Sequence, residues 1–218
     1  MIIELKNIRF NFGSHHIFKS LNLKINTTNL YFLTGANSSG KTVLLKLLGL
    51  QLKPSGGQIL IDDKVVNYNN IKELAKLRQK IGFIFDEHKL LTDLNVFDNI
   101  ALPLRIMGEN ERKVREKTNS MIEWSGLKDK TRKMPNELSS SEQKLISIAR
   151  SIIKRPQIIL ADELTKDLDS QTNQRIMLLL HELVKQNTTV VLSTHDHTWA
   201  NNHKQPILII KDHNVHLS

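Results

Sequence analysis

The sequence predicts an α/β fold: a mixed β core containing a parallel sheet, an N-terminal antiparallel β portion and a helical portion. Three observations carry that prediction. The apolar run Tyr31-Phe32-Leu33-Thr34 leads into Gly35-Ala36-Asn37-Ser38-Ser39-Gly40-Lys41-Thr42 and on into Val43–Leu48, a strand–loop–helix order. Two β-rich runs, Gln157–Ala161 and Thr188–Leu192, flank a helical stretch, Gln171–Lys185, the spacing of parallel strands joined by a crossover helix. Residues 92 to 155 read as mostly helical, with breaks at Gly108, Gly126 and Pro135.

Each element follows from its local pattern. Residues 2–33 alternate apolar and polar positions around a turn at Gly13-Ser14, as antiparallel strands do. Lys53-Pro54-Ser55-Gly56-Gly57 is a turn that opens the strand Gln58–Ile61, and Ile81–Phe85 is a further short strand. Glu111–Lys117 mixes charges of both signs and reads as an exposed helix. Ile207–Ile210 and Val215–Leu217 flank a turn. The expected organisation is one domain over 1–218, with residues 1–91 and 156–218 as core and 92–155 as a helical subdomain.

Gly35–Thr42 fits the phosphate-loop pattern GxxxxGK[ST]. Glycines let the backbone wrap an anion, so that N–H groups and the following helix N-terminus face phosphate oxygens. Lys41 would reach the β/γ-phosphates, and the Thr42 hydroxyl would ligate Mg²⁺. Asp162 directly follows the strand Ile158–Ala161, where a carboxylate partners Mg²⁺; adjacent Glu163 can orient or deprotonate an attacking water. A bare Asp-Glu pair is otherwise an ordinary solvated strand end. His195, after the strand Thr189–Leu192, is aimed at the edge where ligands of open α/β sheets bind, and can stabilise a γ-phosphate; a lone histidine is also commonly structural.

Bulk properties set limits. The chain has 218 residues, 39% hydrophobic and 24% charged, as in ordinary globular proteins. No apolar run approaches the roughly 20 residues of a spanning helix, and the first residues lack a secretory pattern. With no cysteine, disulfides, thiolate metal sites and cysteine nucleophiles are excluded, and a reducing cytoplasm fits. The net charge of +9 reads either as a lysine-rich solvated surface or as attraction to nucleic acid or anionic membrane. The basic residues are spread along the chain, so nucleic acid is not the expected partner.

Together these motifs resemble the nucleotide-binding domain of an ABC ATPase, across essentially the whole chain. On that resemblance Gly35–Thr42 is Walker A, Ile158–Glu163 is Walker B, His195 is the switch histidine and Lys166-Asp167-Leu168-Asp169 is the D-loop. Phe12 stands where such domains stack an aromatic on adenine; a strand core residue is the plain alternative. Leu138-Ser139-Ser140-Ser141-Glu142, followed by a helix Gln143–Ile153, stands at the LSGGQ signature. Within the family, Phe85–Leu91, Asp98–Leu104 and Ala161–Asp169 resemble the cell-division ATPases of FtsE type, with the lipoprotein-release ATPases nearby.

The resemblance implies ATP and Mg²⁺ as cofactors, Glu163 and His195 as catalytic residues, and Thr42, Asp86 and Asp162 around the metal. Phe12, Gly35–Thr42 and Asp86 would contact nucleotide in one copy, and Ser139, Ser140, Ser141 and Glu142 would close on it from a second copy. It further implies an ATP-dependent homodimer, an integral membrane partner (an FtsX-like permease) and a position on the inner face of the cell membrane. Partner contacts are expected near Asp86 and Thr92–Met107, through Leu94, Val96, Phe97 and Leu102, some of which must be core. Five residues depart from the pattern. Serines replace glycines at 140 and 141, which matters if the backbone there needs φ > 0; a serine hydroxyl can equally donate to phosphate. Asp86 replaces glutamine, Leu145 arginine and Leu164 proline. Hydrolysis is expected to be slow. A nucleotide-gated scaffold with vestigial hydrolysis, a lipoprotein-release or export ATPase, and a DNA-linked ATPase are the competing readings.

Overall fold

Alternating buried and exposed side chains run along Ile3–Phe12 (β1) and His15–Ile25 (β2), the signature of strands with one face against a core. The two pair antiparallel through the turn at Gly13, whose φ of 56° suits glycine. Gly56–Ile61 (β4) pairs antiparallel with β1 and with the short Lys64–Val65 (β5), giving a four-stranded sheet in the order β2-β1-β4-β5. The computed structural model describes residues 1–164, 168–194 and 205–218.

A six-stranded sheet carries the chemistry. Leu30–Gly35 (β3), Ile158–Ala161 (β7) and Thr189–Ser193 (β8) are buried along their whole length, as expected of parallel strands covered on both faces. With Ile81–Ile84 (β6), Ile207–Lys211 (β9) and Asn214–Leu217 (β10), the order is β10-β9-β3-β8-β7-β6. β3 runs parallel to β8 and β9, and β7 parallel to β8, so the carboxyl ends of β3, β8 and β7 share one edge. The helices Lys41–Leu48 (α1) and Ser170–Lys185 (α6) follow β3 and β7. Leu44, Leu45, Leu47 and Leu48 of α1 enter the core with Leu33, Leu160 and Val191.

The chain divides into two compact units, residues 1–83 with 157–218 and residues 84–156. Inside the second, Val96–Ile106 (α3), Glu111–Ser125 (α4) and Ser140–Ile152 (α5) pack around Val96, Ile100, Leu104, Val114, Ile122 and Ile146. α4 buries only a stripe, including Val114, Thr118 and Ile122, and ends at Gly126 with φ 72°, a left-handed helix stop.

Two features differ from the sequence expectation. Helix Ile71–Gln79 (α2), capped by the Asn70 side chain, occupies a stretch to which the sequence reading assigns no element; it buries little beyond Leu74. α5 starts at Ser140 rather than Gln143. Ser139 and Glu142 form a reciprocal capping box that draws both serines into the first turn.

Candidate active site

The loop after β3 is shaped by its glycines. Gly35 has φ 152°, and a Cβ there would lie 2.7 Å from Ser39 Oγ and 3.0 Å from the Ile210 carbonyl oxygen. Gly40 has φ 106° and caps α1; a Cβ would meet Ile17 Cγ2 at 2.7 Å. Only glycine gives this path at both positions. The α1 N-terminus therefore opens without a side-chain cap, leaving its positive end for an anion.

Lys41 begins α1 and is 6% exposed. Its Nζ donates to the carbonyl oxygens of Gly35 (2.9 Å) and Ala36 (3.2 Å). Burial lowers its pKa from the ordinary lysine value, against the upward pull of Glu163 and Asp162. Ser39 Oγ and Thr34 Oγ1 are buried with no hydrogen-bond partner among the described residues. An ammonium turned in on the loop's own carbonyls, beside an orphaned hydroxyl, fits a phosphate group that would engage both. A cavity of about 360 Å³ opens beside the loop, lined by Ala36, Ser38, Ser39, Ile17 and the 210–213 turn. His15, the register partner of Phe12, also lines it.

The start of α1 and the ends of β7 and β8 meet through one buried acid. Thr42 Oγ1 donates to Asp162 Oδ2 at 2.7 Å, and Ser193 Oγ donates to Asp162 Oδ1 at 2.6 Å. Both carboxylate oxygens are thus held, and a hydroxyl and a carboxylate stand together as hard oxygen donors. Mg²⁺ needs only one or two carboxylates when substrate phosphates complete its shell, so this pair fits it. Glu163 is half-buried with φ 48°, a strained backbone for a non-glycine residue. Its N–H donates to Ser193 Oγ at 3.0 Å.

The structure thus brings together Gly35–Thr42, Asp162 and Glu163. Phe12 is 57% exposed, its ring edge-on to Phe10 at 5.1 Å, so the core reading of this residue fails. His195, Lys166 and Asp167 lie outside the described residues; Asp169 caps α6 through Thr172.

The remaining candidates belong to the helical unit. Ser139 Oγ accepts from the Glu142 N–H (3.3 Å), and Glu142 returns the bond to the Ser139 N–H (2.9 Å). Neither Ser140 nor Ser141 is among the residues with positive φ, so their backbone does not need the glycines they replace. Ser140 Oγ is hydrogen-bonded to His88 Nε2 at 3.1 Å. Burial, and then the Lys144 charge, push the His88 pKa down, while Asp86 pulls it up. Asp86 stands 3.7 Å from the ammonium of Lys144, which is 3% exposed and also donates to the Asp86 carbonyl (3.3 Å). Of the apolar residues expected at a partner surface, Val96 is instead core, because it faces inward on the first turn of α3. Leu94, Phe97 and Leu102 are half-buried, and the exposed apolar side chains nearby are Leu91, Ile106 and Met107. Ser193 and Lys144 carry no motif, and the Phe85–Leu91 stretch that contains His88 assigns that residue no role. A hydroxyl ending a strand beside the acidic one was the only available signal, and for Ser193 alone.

The ABC transporter family profile matches residues 18–166. The chain belongs to the ABC transporter ATPase family. It is 35% identical to the cell division ATP-binding protein FtsE of Bacillus subtilis, over 88% of this chain and 84% of that one. It is 37% identical to the lipoprotein-releasing system ATP-binding protein LolD of Rickettsia bellii, over 91% and 90%. Among solved structures, the ATP-binding cassette MJ0796, a dimer in a post-hydrolysis state bound to ADP and Pi, superposes with a TM-score of 0.91 at 32% identity, over 99% and 97% of the two chains. This ABC cassette therefore binds and hydrolyses ATP, with Mg²⁺ the usual accompanying ion of the family. ABC ATPases dimerise and pair with integral membrane subunits. No helix among the described residues is long and apolar enough to cross a membrane.

Proposed function

We propose that this chain is the ATPase subunit of an FtsE-like membrane complex in cell division, coupling ATP-driven dimerisation to an FtsX-like integral membrane partner at the inner membrane face. The observation that carries the catalytic part is the convergence of Thr42 and Ser193 on Asp162. In this reading the 35–42 loop and Lys41 hold the β- and γ-phosphates, and Phe12 stacks on the base. Thr42 and Asp162, with Asp86, hold Mg²⁺, which when bound neutralises charge on the phosphates. Glu163 orients and deprotonates water, and His195 steadies the γ-phosphate. Ser139, Ser140, Ser141 and Glu142 of a second copy close the site. The 1–91/156–218 core and the 92–155 helical subdomain are the working parts of this clamp.

Likeness to FtsE at 35% identity and the Phe85–Leu91 stretch support the cell-division role. Likeness to LolD at 37% supports a lipoprotein-release role as the second reading. Co-reconstitution with a permease of each type decides between them: the true partner raises turnover and the other leaves it unchanged. Glu163→Gln tests the clamp itself. Hydrolysis falls by about 10²–10⁴, the usual worth of a general base, and a dimer accumulates with ATP in size-exclusion chromatography. A variant that hydrolyses as wild type and stays monomeric refutes the mechanism.

A further inference from the structure

We infer that Ser193 is a positioning residue for ATP hydrolysis, setting both acids of the site through one hydroxyl. The inference rests on the roles given above to Asp162 and Glu163. Ser193 closes β8, is fully buried, and sits between the two strand ends that matter. Its proton goes to Asp162 Oδ1 at 2.6 Å, a short bond of the charge-assisted kind. With that proton committed, its lone pairs are free to accept, and the Glu163 N–H donates to one at 3.0 Å.

The second bond matters because of where it falls. Glu163 adopts φ 48°, a conformation that disfavours side chains with a Cβ and needs support from its surroundings. The amide–hydroxyl bond supplies that support and fixes the direction in which the Glu163 side chain leaves the backbone. The first bond secures the neighbouring carboxylate from the side opposite Thr42. Asp162 keeps a donor on Oδ1 when Thr42 is drawn away from Oδ2 towards a ligand. One buried hydroxyl thereby ties the metal-side acid to the water-side acid, and neither bond touches substrate.

Ser193→Thr and Ser193→Val separate the hydroxyl from its bulk, because the two side chains share a shape and both suit a strand. Ser193→Val lowers kcat by about tenfold, the kinetic equivalent of one neutral hydrogen bond, while KM for ATP stays within about twofold. Ser193→Thr recovers most of that loss. In nucleotide-free protein, amide exchange at Glu163 is fast in the Val variant and slow in the wild type and the Thr variant. Equal kcat values and equal Glu163 protection in the two variants overturn the inference, as does a loss confined to KM. The exchange arm reads the bond without turnover, so a wild type lacking Glu163-dependent hydrolysis sinks the clamp mechanism and leaves this bond to be judged separately.

Discussion

The phosphate-side site and the N-terminal end of α5 are built on opposite plans. At the first, Thr42 from the start of α1 and Asp162 and Ser193 from the ends of β7 and β8 lie up to 151 positions apart and meet through short hydrogen bonds to the buried Asp162. At the second, Ser139, Glu142 and Lys130 lie within 13 consecutive residues, near the surface, in a capping box and an ion pair. Distant groups that meet in a buried site hold only if the whole fold is right, and each has few alternatives. Local groups at a helix end are set by the helix itself, so side chains there can change while the backbone stays. Most of the unconventional residues follow this division: Ser140, Ser141, Asp86 and Leu145 belong to the helical unit, while in the other unit Leu164 alone departs and the phosphate loop, Asp162 and Glu163 keep their chemistry.

Lys41→Ala strikes the first plan hardest. It removes a buried ammonium whose two carbonyl bonds show how closely it follows the loop. ATP affinity falls by about a hundredfold, the worth of two charge-assisted bonds at the low end of their range. Titration with a fluorescent ATP analogue measures this; affinity within threefold of wild type removes the distinction between the two sites.

The second plan predicts indifference. The first turn of α5 has no positive φ at 140 or 141, and Ser140 is bonded to His88, so the serines fit their place. Ser140→Gly with Ser141→Gly restores the family pattern, yet it raises turnover by no more than about twofold and costs about 0.5 kcal/mol per site in helix propensity. Steady-state hydrolysis and thermal melting together measure this. A tenfold gain in turnover shows instead that the added Cβ atoms obstruct the partner's nucleotide.

The same contrast explains what was legible in the sequence. The β3–loop–α1 unit is contiguous, so its pattern and its geometry coincide, and Asp162 follows a plainly apolar strand. Ser193 was not legible as a partner of Asp162 because the two are 31 positions apart and meet only once β7 lies beside β8. The Asp86–Lys144 pair spans 58 positions, so Asp86 read alone shows only an added charge. Val96 stayed open between partner surface and core because one apolar residue at the start of a helix says nothing about which way that helix faces. α2 escaped notice since it buries almost nothing apolar, and its one clear signal is the Asn70 cap.

The smallest effect sharpens the comparison through pH. The Lys130 ammonium first, and the Ser139 N–H second, hold the Glu142 carboxyl below its ordinary value of 4.5. A carboxylate depressed in the folded state adds stability above the unfolded value, and that stability is lost as pH falls through the folded value. The cap therefore contributes fully at neutral pH and fades in the acid range below 4.5. Glu142→Ala lowers the melting temperature by about 2–4 °C at pH 7, as expected for a lost cap, and by progressively less on acidification below 4.5. A melting difference that stays constant from pH 7 to the acid limit means the charge of Glu142 does not hold this helix end. Its local design would then rest on the Ser139 hydroxyl alone.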